Sequence, residues 1–230
     1  MKTAIVTGAS SGIGLEVCKK LNEANIQVFG FGRDFNKVDY KHSLFHPVTC
    51  DFLKTGLLIE EIKKIRKEYD ISILINNAGV GYYGPHEELN PSKIHEMLTI
   101  NLEVPLMLSQ LLLRDLKKNA GFIINISSVT ATKSSPHGCT YAATKAGLSS
   151  FSSSLFDETR KYGVKVINIM PDMTKTSLYR NANFDVADTL DTYLEPSEVA
   201  DCVMYVLNQR DGLIITDITL KPQRHQLSKK

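Results

Sequence analysis

Short apolar runs rich in β-branched residues recur along the chain at Thr3 to Val6, Ile26 to Phe31, Leu44 to Val48, Ile71 to Ile75, Phe122 to Ile126, Val164 to Ile169 and Leu213 to Ile218. Each has the length of a strand and is close to continuously apolar, as expected of strands covered on both faces. Between them lie stretches with apolar residues at three- and four-residue spacing, beginning near Gly12, Leu57, Ser92, Thr140 and Ser197. Pro196-Ser197-Glu198 is a helix-start signal. Seven strands alternating with helices predict a parallel sheet with helices on both sides, because parallel crossovers put them there.

Three places depart from that rhythm. Only Asp34 to Ser43 separates the second and third strands, too little for a full crossover helix, so a loop is expected there. Pro105 falls inside the helical stretch Ile94 to Leu116 and predicts a kink or break. Asp172 to Leu194 mixes Thr, Asn and Asp without steady periodicity, and the polar stretch His225 to Lys230 reads as loose. The apolar run Leu106-Met107-Leu108 with Leu111-Leu112-Leu113 is wide for one buried stripe; it fits a subunit interface or burial within the domain. With no repeat, linker or low-complexity tract, residues 1–230 read as a single domain.

Composition changes this picture little. Hydrophobic residues make up 43% and charged residues 23%, with a formal charge of +2, so neither nucleic acid nor an acidic membrane surface is indicated and a small soluble substrate is the default. Cys18, Cys50, Cys139 and Cys202 are scattered, with no C-x-x-C pair, which reads as reduced thiols in a cytoplasmic protein. The first residues carry one basic group and too short an apolar run for a signal peptide, and no stretch approaches the ~18 uncharged apolar residues of a membrane helix.

Candidate chemistry begins at Gly8-Ala9-Ser10-Ser11-Gly12-Ile13-Gly14, which follows the first strand and opens the first helix. Small residues let the backbone approach a dinucleotide pyrophosphate, and the N–H groups and dipole of the helix start favour its charge. The second strand ends Gly30-Phe31-Gly32-Arg33. An acidic residue here would bond the adenosine ribose; Gly32 cannot, and the Arg33 guanidinium matches a 2′-phosphate, which predicts NADP(H) over NAD(H), with adjacent Asp34 leaving room for NAD. Tyr141 and Lys145 stand four apart, one helical turn, which sets an ammonium beside a phenol and favours the phenolate. A Ser/His/Asp hydrolase or a metal enzyme would need histidines or clustered ligands in motifs that the sequence lacks. Hydride transfer needs neither.

Taken in order, Thr7-Gly8-x-x-x-Gly12-x-Gly14, Asn76-Asn77-Ala78-Gly79, Asn101, Ser128 and Tyr141-x-x-x-Lys145 resemble the short-chain dehydrogenase/reductase family, in its one-domain branch. The resemblance implies a Rossmann-like doubly wound αβα sandwich and an oxidoreductase that interconverts a carbonyl and an alcohol, as a homodimer or homotetramer. It also implies site roles. Asn101, Ser128, Tyr141 and Lys145 would be catalytic, with Ser128 rather than Ser127 polarising the carbonyl and Asn101 supporting a proton path. The cofactor would be held by Gly8, Ser10, Ser11, Gly12, Ile13, Gly14, Arg33, Asp51, Phe52, Asn77, Ala78, Gly79, Tyr141, Lys145, Pro171, Thr174 and Thr176. Asp51 could equally be a turn carboxylate, and Asn76 a structural amide. Asp172 stands where the family has glycine. The substrate pocket would be walled by Val129, Thr130, Pro136, His137 and a lid over 172–194. A catalytically silent NADP-binding protein of the same fold is the alternative.

Overall fold

The computed structural model describes residues 2–230. Strands β1 (Thr3–Thr7), β2 (Gln27–Gly32), β3 (Phe45–Thr49), β4 (Ile71–Asn76), β5 (Phe122–Ile126), β6 (Lys165–Pro171) and β8 (Asp217–Leu220) form one parallel sheet in the order β3-β2-β1-β4-β5-β6-β8. The strand order reverses between β1 and β4, which opens a crevice at their carboxyl ends. Alternate residues along each strand feed opposite faces. Ile5, Leu74 and Ile123 pack with Leu58, Ile62 and Ile65 of α2 (Thr55–Glu68), with Leu108, Leu112 and Leu116 of α4 (Val104–Lys118), and with Leu155 of α5 (Cys139–Thr159). Ala4, Val6, Ile73 and Ile75 pack instead with Val17 and Leu21 of α1 (Gly12–Glu23) and with Val199 and Val203 of α6 (Pro196–Leu207). The result is the expected single-domain, three-layer sandwich.

The anticipated breaks are real, though not always where the pattern put them. Residues 34–43 form turns and extended chain. The helical stretch around Pro105 is distorted just upstream of that residue. α3 (Pro91–Leu98) passes without leaving helical geometry into a π-turn at Thr99–Glu103 and on into α4, so Pro105 lies inside one continuous helix and the widened turn just before it accommodates its missing N–H. By length and composition the run Pro91–Lys118 is apolar enough to cross a membrane, but Met97, Leu108, Leu112 and Leu116 are fully buried in the sheet-facing cluster, and it is a core helix. Leu106, Met107, Leu111 and Leu113 are half-buried. α6 starts at Pro196 under a capping box in which Glu198 accepts from the Glu195 backbone N–H at 2.8 Å.

Two expectations need correction. The seventh strand of the sheet starts at Asp217 rather than Leu213, because Ile214 and Ile215 pack on the α1/α6 side before the chain enters the sheet. Residues 225–230 are not loose. β9 (Leu227–Lys229) pairs antiparallel with β7 (Phe184–Val186), a short strand within the 172–194 segment. Arg224 grips Asp191 with two bonds of 2.6 and 3.0 Å, Ser228 Oγ donates to the Val186 carbonyl, and Lys230 Nζ donates to the Tyr179 carbonyl at 2.5 Å. The lid's base is pinned as well, by Lys175 N to Leu194 O and Leu194 N to Met173 O.

A polar row crosses the sheet at one level. Asn76 pairs in register with Asn125, Asn125 with Asn168, and Asn168 with Asp217. Asn76 Nδ2 donates to Asn125 Oδ1 at 2.7 Å, Asn125 Nδ2 to Ser152 Oγ at 2.8 Å, and Asn168 Nδ2 to Ser149 Oγ at 3.0 Å, so the row doubles as the underside contact of α5.

The tail contacts lie on the lid and not on the sheet core, so deletion of residues 224–230 is expected to leave the melting temperature within a few degrees of wild type. The same deletion should accelerate tryptic cleavage at Arg180. Unchanged cleavage kinetics would show that the lid keeps its shape without the tail.

Candidate active site

The glycine loop crosses from β1 to α1 at the crevice. Gly8 and Gly12 take φ of 69° and 53°, the left-handed region that disfavours side chains. Gly14 is a contact residue: a Cβ there would stand 2.2 Å from the Gly8 carbonyl oxygen and 2.5 Å from Asn77 Nδ2. Gly14 therefore lets α1 press on the loop and does not itself line the cleft. Ser11 caps α1 through backbone only; among the described residues its hydroxyl makes no cap bond, which leaves the helix start open to an anion. Thr176 faces the loop from the other side, its Cγ2 3.1 Å from where a Gly12 Cβ would be.

The end of β4 is tied to the end of β1. Asn77 Nδ2 donates to the Thr7 carbonyl at 2.9 Å, and Thr7 Oγ1 accepts from the Asn77 and Ala78 amides, each at 3.0 Å. At the tip of β2, a Cβ on Gly32 would come within 3.0 Å of Ser10 Oγ, so a larger residue would crowd the loop. Arg33 is exposed on the cleft wall, while Asp34 Oδ1 is engaged by the Asn36 amide at 2.8 Å in its own turn. Phe52 lines the cleft. Asp51 does not: its Oδ1 accepts from the Leu53 amide at 3.1 Å, the turn-carboxylate alternative.

Tyr141, Lys145 and Ser128 meet at the centre. The buried stripe of α5 is largely polar, with Thr140, Tyr141, Thr144, Lys145, Ser152 and Thr159 beside Leu148 and Leu155, which is why this helix shows no ordinary amphipathic pattern. Lys145 Nζ donates to the Ile126 carbonyl at 2.8 Å and lies 5.7 Å from the Tyr141 ring centroid. Ser127 turns its hydroxyl to α5, 3.0 Å from the Lys145 carbonyl, whereas Ser128 lines the cleft with Tyr141 and its Oγ accepts from the Thr130 amide at 3.2 Å. The ammonium does not bring the phenol toward neutrality, contrary to the expectation from their spacing. Burial pushes Tyr141 up to about 12, only partly offset by the Ser128 hydroxyl, and burial pulls Lys145 down to about 8. Asn101 sits in the π-turn, fully buried. Its Oδ1 accepts from Val80 N and its Nδ2 donates to Val80 O, both at 2.9 Å, with a further bond to Thr144 Oγ1 at 3.2 Å. Its side chain is thus a brace between the β4 loop and α5 rather than part of the cleft wall.

Pro171, Asp172, Thr174, Thr176, Ser177, Leu178, Tyr179 and Arg180 complete a cleft of about 190 Å³, whose opposite wall carries Gly8, Ser10, Ser11, Gly12, Ile13, Arg33, Phe52 and Asn77 to Val80. Asp172 Oδ1 accepts from the Met173 amide at 2.9 Å, and its other oxygen is 3.9 Å from Lys133 Nζ. Sequence reasoning missed Tyr83. Its ring centroid is 5.7 Å from that of Tyr141, and only its place a few residues past Asn77-Ala78-Gly79 could have flagged it.

Residues 2–187 match the short chain dehydrogenase family, and the chain belongs to it. It is 30% identical over 227 residues to an uncharacterized oxidoreductase of Staphylococcus epidermidis, covering 96% of this chain and 97% of that one, and 28% identical to one of Staphylococcus aureus with the same coverage. Its fold is similar to an alcohol dehydrogenase from the archaeon Thermococcus sibiricus complexed with 5-hydroxy-NADP (TM-score 0.88, 23% identity, 98% and 99% covered). It is also similar to a 4-hydroxyisoleucine dehydrogenase complexed with NADH and succinate (0.84, 23%, 95% and 97%) and to a metagenomic short-chain oxidoreductase in complex with NADP (0.80, 25%, 96% and 97%).

Because the folded state holds the Lys145 proton less tightly than the unfolded chain, its burial destabilises the protein below pH 8, and the penalty fades as pH rises from about 8 toward the lysine's ordinary 10.5. Lys145→Met is therefore expected to be more stable than wild type at pH 7, by ~1–3 kcal/mol after loss of the Ile126 bond, with the gap closing by pH 10. Urea midpoints across that range check it. A variant no more stable than wild type at pH 7 contradicts the assignment.

Proposed function

We propose that this short-chain dehydrogenase is an NADP(H)-dependent oxidoreductase that interconverts a carbonyl and a secondary alcohol on a small-molecule or acyl substrate. The observation that carries the reading is the cleft itself: the open helix start at Gly12 and the Ser128, Tyr141 and Lys145 side chains line the same cavity. The cradle suits a dinucleotide, since a Cβ at Gly8 or Gly12 would meet Asn77, Ala78 or Thr176 where a pyrophosphate would approach the backbone.

A bound nicotinamide supplies or accepts the hydride, the redox step that no side chain here can perform. Gly8, Ser10, Ser11, Gly12 and Ile13 would hold the pyrophosphate, Asn77 to Gly79 and Phe52 the adenosine side, and Pro171, Thr174 and Thr176 the nicotinamide side. Ser128 Oγ and Tyr141 Oη act on the substrate oxygen together. Tyr141 as the phenol donates its proton to that oxygen in reduction, and as the phenolate takes the proton from the alcohol in oxidation. Lys145 keeps a positive charge next to the phenol and would contact the nicotinamide ribose, and Asn101 braces the β4 loop against α5. Arg33 favours NADP(H): it is the exposed cation at the β2 tip, beside a glycine that leaves no carboxylate for a ribose hydroxyl, while Asp34 is turned into its own loop. The metagenomic relative solved with NADP supports the same choice.

Tyr141→Phe should lower carbonyl reduction ~100-fold or more while NADPH still binds, as read by nucleotide fluorescence beside turnover. Wild-type turnover in that variant would reject the acid/base assignment. For the cofactor, Arg33→Ala is expected to weaken NADPH ~10-fold or more and NADH little, the size of a lost charged hydrogen bond. Equal losses for both nucleotides would overturn the preference.

A further inference from the structure

Tyr141 and Tyr179 line the cleft, and two further rings, Tyr83 and Phe184, pack against them. Tyr83 comes from the loop after β4, Tyr179 from the turn Ser177–Asn181, and Phe184 from β7. Tyr83 lies 5.7 Å from Tyr141, 5.1 Å edge-on from Phe184 and 6.4 Å from Tyr179, and Tyr179 lies 5.6 Å from Phe184, all between centroids and all within aromatic-pair range. Met173, Leu178, Ala182 and Val186 back this group. Burial raises the Tyr83 and Tyr179 phenols well above the usual tyrosine range, so both stay neutral.

Each ring is held by a separate device. Tyr83 stacks over Gly81, where a Cβ would come 2.7 Å from its Oη, and over Gly138, where one would come 3.4 Å from its Cδ1. The Gly84 amide bonds the His137 carbonyl at 2.8 Å and locks that loop to the one leading into α5. Tyr179 and Phe184 are held from behind by β9 and by Lys230. Of the charged groups nearby, Asp172 lies 3.9 Å from Lys133, Asp185 lies 3.4 Å from Lys230, and Arg180, at the edge of the cleft, donates to the Ser177 carbonyl at 3.0 Å.

We propose that Tyr83, Tyr179 and Phe184 are specificity-determining residues that confine the substrate to compact, uncharged carbonyl compounds with a flat or cyclic apolar body, Tyr83 setting the size limit. This rests on the oxidoreductase reading above. An apolar ring beside the carbonyl exchanges water for aromatic contact, whereas a carboxylate or a polyhydroxylated chain would lose its hydration against neutral rings without replacement partners. Removing a ring opens room for a larger body, and the discrimination changes with the volume.

The test measures NADPH oxidation with cyclohexanone, acetophenone, a two-ring ketone, acetoacetate and a ketose. Wild type is expected to prefer the one-ring ketones over acetoacetate and the ketose by ~100-fold or more in kcat/KM. Tyr83→Ala should raise the two-ring to one-ring ratio ~10-fold or more with NADPH affinity unchanged, and Tyr83→Phe, which keeps the ring, should restore the wild-type ratio. Thermal melting checks that the alanine variant is folded; if it is not, the wild-type panel and Tyr83→Phe decide. Turnover of acetoacetate or the ketose with none of the ring ketones overturns this proposal alone, as does an unchanged ratio in Tyr83→Ala. An enzyme that binds NADPH yet reduces no carbonyl of any class overturns the oxidoreductase reading and this proposal together.

Discussion

The Lys145 ammonium rests on the Ile126 carbonyl, out of water, at the point where β5 ends and α5 crosses it. A buried cation is unfavourable in a protein interior and persists only where its donors are met and its neighbours fixed. Here the same few ångströms of backbone carry several roles. The residue after Ile126, Ser127, bonds back to the Lys145 carbonyl, and the one after that, Ser128, lines the cleft with the phenol one turn before the lysine. The distance between serine and tyrosine is therefore a property of how α5 sits on β5. The polar underside of α5, from Thr144 to Ser152, is what keeps that seat.

The other half of the cleft is built on different physics. Gly14 lets α1 approach Gly8 to a distance that any side chain would forbid, and Asn77 bridges the ends of β1 and β4 with bonds to Thr7. Nothing charged is required, only close backbone approach. The glycine loop and the tyrosine site thus stand on opposite sides of the crevice with little shared support. Asn101 spans from the β4 loop to α5 and couples the two.

Much of this could be read from residues alone, and the exceptions have causes. Continuous apolar runs gave the central strands to within a residue or two because both faces of each are covered. The run at Leu213 misled because Ile214 and Ile215 are buried by helices before any strand pairing begins. Pro105 marked a distortion that the structure shows just upstream, as a π-turn within a continuous helix; Asn101 lies in that turn and bonds Val80 from it. The tail looked polar and unpatterned since its pairing partner is itself a three-residue strand inside an irregular stretch. Asp51 matched a family position, yet its carboxylate is satisfied locally. Tyr83 could not be assigned, as its role depends on Gly81 and Gly138 being small and on rings from 95 or more positions onward. The tyrosine–lysine spacing foretold proximity but not the direction of the ionisation shifts, which depend on depth of burial.

The asparagine row across β4, β5, β6 and β8 has a consequence for how the sheet assembles. Asn76 bonds Asn125 only when β4 and β5 are aligned at this level, Asn168 bonds Asp217 only when β6 and β8 are, and Asn125 and Asn168 each bond a serine of α5. A two-residue slip of β5 against β4 would keep the apolar faces inward and look acceptable to a purely greasy sheet, but it would set Asn76 against Ile123 in one direction or Asn125 against Leu74 in the other, and either way break the amide pair. The row works as an alignment key: hydrocarbon drives the strands together, and the amides reject the near-miss alignments that hydrocarbon alone would tolerate.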